Sequence, residues 1–243
     1  MQTDWEAVRR QLAGLKGHVR WLAFDAVGTL IAPQPSVAEA YWSIGRQFGS
    51  QLPLEEVGRR FAKVFRETEQ NDCAPESGLA RFTTSEEREE ARWREIVARV
   101  LDDVAHGEAC FRELHAHFAR PAAWRCFDDV ADALGRLAAS GYRLAFASNF
   151  DGRLDSVRAG MPALRLIEHC VVSARVGARK PCPEFYRALC ETLHEQPGRV
   201  LMVGDDWQND IVGAREAGLP AVLLDRRGGA GLATLTDLAD ALC

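Results

Sequence analysis

The amino-acid sequence predicts an α/β fold: a parallel sheet covered by helices on both faces, with a helical subdomain inserted into it. Three observations carry that expectation. Short apolar runs rich in strand-forming residues recur along the chain, and each is followed by a loop and a helix-period segment. The gap between the first two runs, about a hundred residues, carries helical patterns and no comparable strand. With 243 residues, 47% of them hydrophobic, the chain can bury a large core and still form a second, smaller unit.

Taken in order, residues 1–17 (MQTDWEAVRRQLAGLKG) have an amphipathic helix pattern with charges throughout, unlike the apolar stretch of a secretory signal, and are expected as an N-terminal helical extension. VRWLAF (19–24) is the first strand, its continuous apolar character marking burial on both faces. Ser36-Val37-Ala38-Glu39 and Thr84-Ser85-Glu86-Glu87 both have capping-box spacing for helix starts. Residues 54–66 carry helical spacing after Pro53, and Trp93, Ile96, Val97, Val100, Leu101 and Val104 share one helical stripe. The segment 36–124 is too patterned for a loop and is expected as a helical subdomain, leaving 18–35 and 125–243 as the sheet core. YRLAFA (142–147), CVVS (170–173), RVLMVG (199–204) and PAVLLD (220–225) supply the remaining strands. Gly228-Gly229-Ala230-Gly231 lacks the strand-to-helix context of a phosphate cradle and is expected as a flexible turn.

Charge narrows the function classes. A net charge of -5 argues against the concentrated basic face that nucleic acid or an anionic membrane surface requires. No run reaches the about 18 apolar residues of a membrane span. The seven cysteines are odd in number and dispersed, without a CxxC pair or Cys/His zinc spacing, which points to reduced thiols and a cytoplasmic protein. Lys16, Lys63 and Lys180 are the only lysines among 30 basic residues, so a lysine near a site is notable.

In a doubly wound sheet, ligands bind beyond the carboxyl ends of the strands. Here the first strand ends at Asp25, the second at Ser148-Asn149 and the fourth at Gly204-Asp205-Asp206-Trp207-Gln208-Asn209-Asp210, while Lys180 follows the third and precedes Pro181. Acid, hydroxyl, lysine and acid cluster are thereby expected in one crevice.

FDAVGTL, ASN, RKPCPEFY and VGDDWQND, in that order, resemble the four motifs of the haloacid dehalogenase-like hydrolase superfamily. The resemblance runs from about residue 18 to 225, and it implies a Rossmann-like core with an all-helical cap inserted after the first motif. It further implies that Asp25 is a nucleophile forming an aspartyl-phosphate, with Ser148 and Lys180 as catalytic partners. Thr29, Ser148, Asn149 and Lys180 would bind phosphate. Mg²⁺ would be held by Asp25, the Val27 backbone carbonyl and Asp205, with Asp210 in the outer shell and Asp206 as a further ligand. The partner expected is a small phosphorylated or halogenated molecule.

The first motif departs from most phosphatases of the family. Two residues after the nucleophile they carry a second aspartate as general acid, and here Val27 stands. General acid-base help is worth about 10²–10⁴-fold. Four readings follow: a magnesium phosphohydrolase for good leaving groups such as acyl phosphates or anhydrides, or one borrowing an acid from the cap; a 2-haloacid dehalogenase without metal, with Arg46 the nearest halide-cradle candidate; a phosphonate hydrolase using Lys63 as a Schiff base; and a non-catalytic phosphometabolite-binding module. The intact Asp205, Asp206 and Asp210 favour phosphoryl chemistry. Trp42, Arg46, Arg81, Trp93, His115, His117 and Trp124 are the insertion residues that could contact substrate.

Overall fold

The computed structural model describes residues 5–72, 82–229 and 231–243. The chain enters through α1 (Trp5–Ala13), whose Leu12 is buried, and then forms β1 (Trp21–Phe24). A turn leads to β2 (Ile31–Pro33), followed by α2 (Val37–Gln47), α3 (Leu54–Asp72), α4 (Glu86–Val100) and α5 (Gly107–His117). β3 (Trp124–Cys126) closes this excursion by pairing antiparallel with β2, Ile31 opposite Cys126 and Pro33 opposite Trp124. Strands and helices then alternate through α6 (Val130–Ala139), β4 (Arg143–Ser148), α7 (Arg153–Ala159), β5 (Ile167–Val172), α8 (Ser173–Val176), α9 (Pro183–Leu193), β6 (Val200–Gly204), α10 (Gly213–Glu216), β7 (Ala221–Leu223) and α11 (Leu235–Leu242).

The main sheet has the order β5-β4-β1-β6-β7, and every neighbouring pair is parallel. β1 is central, with Phe24 opposite Phe146 on one side and Val203 on the other. Period-two alternation sends Leu22, Phe24, Phe146 and Val203 to one face, where they meet Leu134, Leu137, Leu235 and Leu238. Trp21, Ala23, Ala145 and Met202 pack on the other face against Phe185 and Leu189. Because both faces are covered, the strands read as unbroken apolar runs. Leu12 of α1 joins the first of these cores, so the N-terminal helix is anchored on the sheet layer.

α2–α5 enclose an apolar cluster of their own, including Tyr41, Ile44, Val57, Ile96, Val97, Val100 and Phe111. Ser36 opens α2 with the expected reciprocal cap: its Oγ accepts from the Glu39 amide at 3.3 Å, and the Glu39 carboxylate accepts from the Ser36 amide at 2.9 Å. The box expected from Thr84 does not form. Ser85 caps α4 instead, accepting from Arg88 N at 3.2 Å, and this one-residue shift places an arginine where the box needs an acid. Thr84 donates its hydroxyl to Glu89 at 2.7 Å. The pattern read over 54–66 continues to Asp72. The β2–β3 ribbon has no counterpart in the sequence reading, because three-residue strands are too short to display a period.

Candidate active site

The carboxyl ends of β1, β4 and β6 lie side by side, and each delivers one polar residue. Asp25 directly follows β1, its amide donating to Val203 O of β6 at 2.9 Å. Ser148 is the last residue of β4, and its hydroxyl donates to Asp25 Oδ1 at 2.9 Å. Lys180 arrives on the loop after α8, and its ammonium donates to Asp25 Oδ1 at 2.8 Å, Asp210 Oδ1 at 2.5 Å and Ala147 O at 2.8 Å. Both side-chain donors therefore fall on Oδ1 of Asp25. Among the described residues no donor reaches Oδ2.

Burial works against the charge of Lys180, but the carboxylates of Asp210 and Asp25 outweigh it and hold the ammonium above its ordinary range. Asp205, the residue after β6, accepts from the buried Thr29 hydroxyl at 3.1 Å. Burial and then the charge of Asp25 push its carboxyl up to about 6, with the Thr29 hydrogen bond opposing them. Gly28 makes this approach feasible. Its φ is +90°, and a Cβ there would run into the Asp205 carboxylate. Gly204 plays the same steric part beneath Asp210, whose Oδ2 accepts from the Asp206 amide at 3.0 Å.

Carboxylate oxygens of Asp25, Asp205 and Asp210 lie within 4.8 Å of one another. Three hard oxygen donors around one buried ammonium leave excess negative charge, and that donor set fits a hard divalent cation such as Mg²⁺. Asp206 stands apart from this group: its Oδ1 accepts from Asn209 N at 2.8 Å and caps the single π-turn Trp207–Val212.

A cavity of about 420 Å³ opens above Asp25. Its floor comprises Asp25, Val27, Ser148, Asn149, Lys180, Asp205, Asp206 and Asp210. Thr29, expected at the phosphate, is buried beneath Asp205 and does not line the cavity, so its hydroxyl orients an acid. Asn149 lines the cavity, but its side chain clamps the lysine backbone, accepting from Lys180 N at 2.8 Å and donating to Lys180 O at 3.0 Å.

Of the insertion residues expected at substrate, Trp93 and Trp124 line the cavity. Trp42, Arg46, His115 and His117 do not, and Arg81 lies outside the described residues. Lys63 also falls outside the lining; its side chain is 71% exposed and pairs with Glu67 at 3.9 Å, which removes the Schiff-base candidate.

Phe61, Phe65 and Glu69 on α3 and Glu89 and Arg92 on α4 also line the cavity, beyond the residues expected from the sequence. Their spacing was the available signal, since 61, 65, 69 and 89, 92, 93 fall at three- and four-residue intervals on one helical face each. Glu69 accepts from Arg92 and, at 2.9 Å, from Arg179, the residue beside Lys180. The same Arg179 lies 3.8 Å from Glu89.

The parallel sheet thus gathers acids and a lysine at its carboxyl edge, where open α/β folds place their ligand sites. A family model for haloacid dehalogenase-like hydrolases matches residues 19–218, and the chain belongs to that family. It is 26% identical over 211 residues to the human haloacid dehalogenase-like hydrolase domain-containing protein 3, covering 85% of this chain and 82% of that one. It is 29% identical over 225 residues to a phosphoserine phosphatase of Thermus thermophilus, covering 86% and 89% of the two. Among solved structures, a HAD phosphatase from Thermococcus onnurineus superposes with a TM-score of 0.63 at 21% identity, covering 91% of this chain and 97% of that one. The L-2-haloacid dehalogenase PA0810 does so with a TM-score of 0.68 at 22% identity and the same coverage. The haloacid dehalogenase-like fold thus extends over nearly the whole chain. Among the described residues, no helix is long and apolar enough to cross a membrane.

Proposed function

We propose that the protein is a Mg²⁺-dependent phosphohydrolase for small phosphorylated molecules whose leaving group departs without a proton. The observation that supports this most is the pinning of Asp25 Oδ1 by Lys180 and Ser148, with the Asp205 and Asp210 carboxylates in reach. On this reading Asp25 Oδ2 attacks phosphorus in line, the bond from phosphorus to the leaving oxygen breaks, and water later hydrolyses the aspartyl-phosphate to regenerate the carboxylate. Lys180 and Ser148 hold Asp25 in its attacking rotamer and stand within reach of the phosphoryl oxygens, in the positioning style of phosphoryl transfer. Thr29 fixes Asp205, and Asn149 fixes the backbone of Lys180. Asp25, Asp205 and the Val27 carbonyl would hold Mg²⁺, with Asp210 behind them; the ion supplies charge neutralisation for the phosphate. Segment 36–124 acts as a cap that keeps water out of the crevice, above a core of 18–35 and 125–243.

No acid stands at position 27 to protonate a leaving group. The acids of the insertion that line the cavity, Glu69 and Glu89, both face Arg179, at 2.9 and 3.8 Å. A second reading, 2-haloacid dehalogenation with Asp25 displacing halide from carbon, draws support from Val27 but leaves Asp205 without a task, whereas Asp210 would still hold Lys180.

The test is hydrolysis of aryl, acyl and alkyl phosphates by the full chain with Mg²⁺ and with chelator. Turnover that disappears with chelator, returns with Mg²⁺ and is lost in Asp25→Asn is expected. Phosphate release indifferent to chelation would sink this reading, and halide release from a 2-haloacid in chelator would install the second.

A further inference from the structure

Above its charged floor the cavity changes character. Seven rings form an unbroken run around it: Trp93 to Phe65 at 6.1 Å, Phe65 to Phe61 at 5.6 Å, Phe61 to Tyr41 at 5.1 Å, Tyr41 to Phe118 at 6.4 Å, Phe118 to Trp124 at 5.8 Å and Trp124 to Phe150 at 5.9 Å. Phe61, Phe65, Trp93 and Phe118 pack on the core of the insertion with one side. Here every ring except Tyr41 is only partly buried, and all seven line the cavity. This is apolar surface left open to a ligand.

The charges in the same walls are matched. Arg92 and Arg179 face Glu69 and Glu89, while Arg153 binds Asp151 through hydrogen bonds of 2.7 to 3.0 Å. Arg153 also lies 5.8 Å from the Trp93 ring and 5.7 Å from Phe150. Three cations thus meet three anions, and among the described lining residues above the floor no cation is in excess for a second anionic group. Among the described lining residues above the floor, Tyr41 alone carries a neutral hydroxyl. A carboxylate or a second phosphate would lose its hydration without a cation in excess to compensate it.

We infer that this chamber recognises an aromatic, uncharged body of one or two rings, so that the substrate is a phosphate carried on the oxygen of such a body: an aryl phosphate or an aromatic acyl phosphate. The inference rests on the phosphohydrolase reading and supplies its substrate class. The chemistry agrees with Val27. When Asp25 Oδ2 bonds to phosphorus, the P–O bond breaks and the aryloxide or carboxylate leaves with the electron pair. An aryloxide then takes its proton from bulk water. One water consumed in the second step yields inorganic phosphate, so the net reaction is hydrolysis.

The experiment measures binding, apart from turnover, with three phosphonates that cannot be cleaved at the P–C bond by this route: 1-naphthylmethylphosphonate, methylphosphonate and 4-carboxybenzylphosphonate, each titrated into the Mg²⁺-supplemented full chain. The naphthyl compound should bind at least about tenfold tighter than methylphosphonate, because only it fills the ring-lined chamber. The carboxylated compound should bind at least about tenfold weaker than the naphthyl one. Phe65→Leu, which keeps apolar volume and loses the ring, should reduce the naphthyl advantage while leaving methylphosphonate unchanged. Glu69→Gln, which puts one guanidinium in excess, should selectively improve the carboxylated ligand. Equal affinities for all three, or no binding of any, overturns the inference.

The two readings fail separately. Sugar, serine and alkyl phosphates turned over as well as aryl phosphates would leave the phosphohydrolase standing and remove the ring preference. Tight naphthyl binding with no phosphate released from any substrate would do the reverse.

Discussion

Val27 tests the missing-acid account at the level of one side chain. It lines the cavity floor and is 36% exposed, so a carboxylate there has room and access to substrate. Val27→Asp should raise turnover of an alkyl phosphate by up to about 10²-fold and of an aryl phosphate by much less, because only the alkoxide needs a proton to leave. Equal gains for the two esters would refute the account. Gly28 is the second informative position. Gly28→Ala combines a left-handed backbone with a Cβ directed into Asp205, and should cost about 1–3 kcal/mol in thermal unfolding while weakening Mg²⁺ binding. Unchanged stability would mean that the turn relaxes and that the steric reading of the glycine is wrong.

At the scale of elements, the insertion is expected to depend on its entry cap. Ser36→Ala removes one half of the reciprocal pair with Glu39 and should cost about 1 kcal/mol, read as a lowered urea midpoint, with Ser36→Asp recovering most of it. The buried strands were legible in the sequence because both faces of the sheet are covered and nothing interrupts the apolar runs. α4 was legible from its stripe, yet its start was misplaced by one residue, since Thr84 and Ser85 both offer a hydroxyl and only tertiary contact with Glu89 commits Thr84 elsewhere. The antiparallel ribbon could not be read at all. Its pairing joins Ile31 to Cys126 across the whole insertion, and no local pattern encodes a contact of that range.

For the molecule as a whole, the acids at the sheet edge would couple the proposed cation binding to pH. The Asp205 carboxyl is raised to about 6 in the folded protein against an unfolded value of about 3.9. Without metal, the folded state therefore binds this proton more tightly, and the group's contribution to stability declines as pH rises through that window. A bound divalent ion requires the deprotonated form. The rise in melting temperature given by Mg²⁺ should accordingly be small at pH 5 and grow by pH 7. A pH-independent rise would show that Asp205 is not a ligand. The floor of the site was legible because strand ends announce it: Asp25, Ser148, Lys180, Asp205 and Asp210 all converge as the motifs imply. The chamber walls were not, because Glu69 meets Arg179 across 110 positions, and each looks like an ordinary helix or loop charge until the fold brings them together.

The attachment of the insertion to the loop before Lys180 has a mechanical consequence. Phe82–Thr84 are laced to Gly177–Arg179, with Arg179 N donating to Phe82 O at 2.8 Å and Thr84 N to Gly177 O at 3.1 Å, and the next residue, Lys180, carries the ammonium that donates to Asp25. If 36–124 swings as a cap, it cannot lift without tugging on that residue. On the proposed function, seating a guest and positioning Asp25 would become a single movement, and small anions too short to engage the insertion would be left untouched.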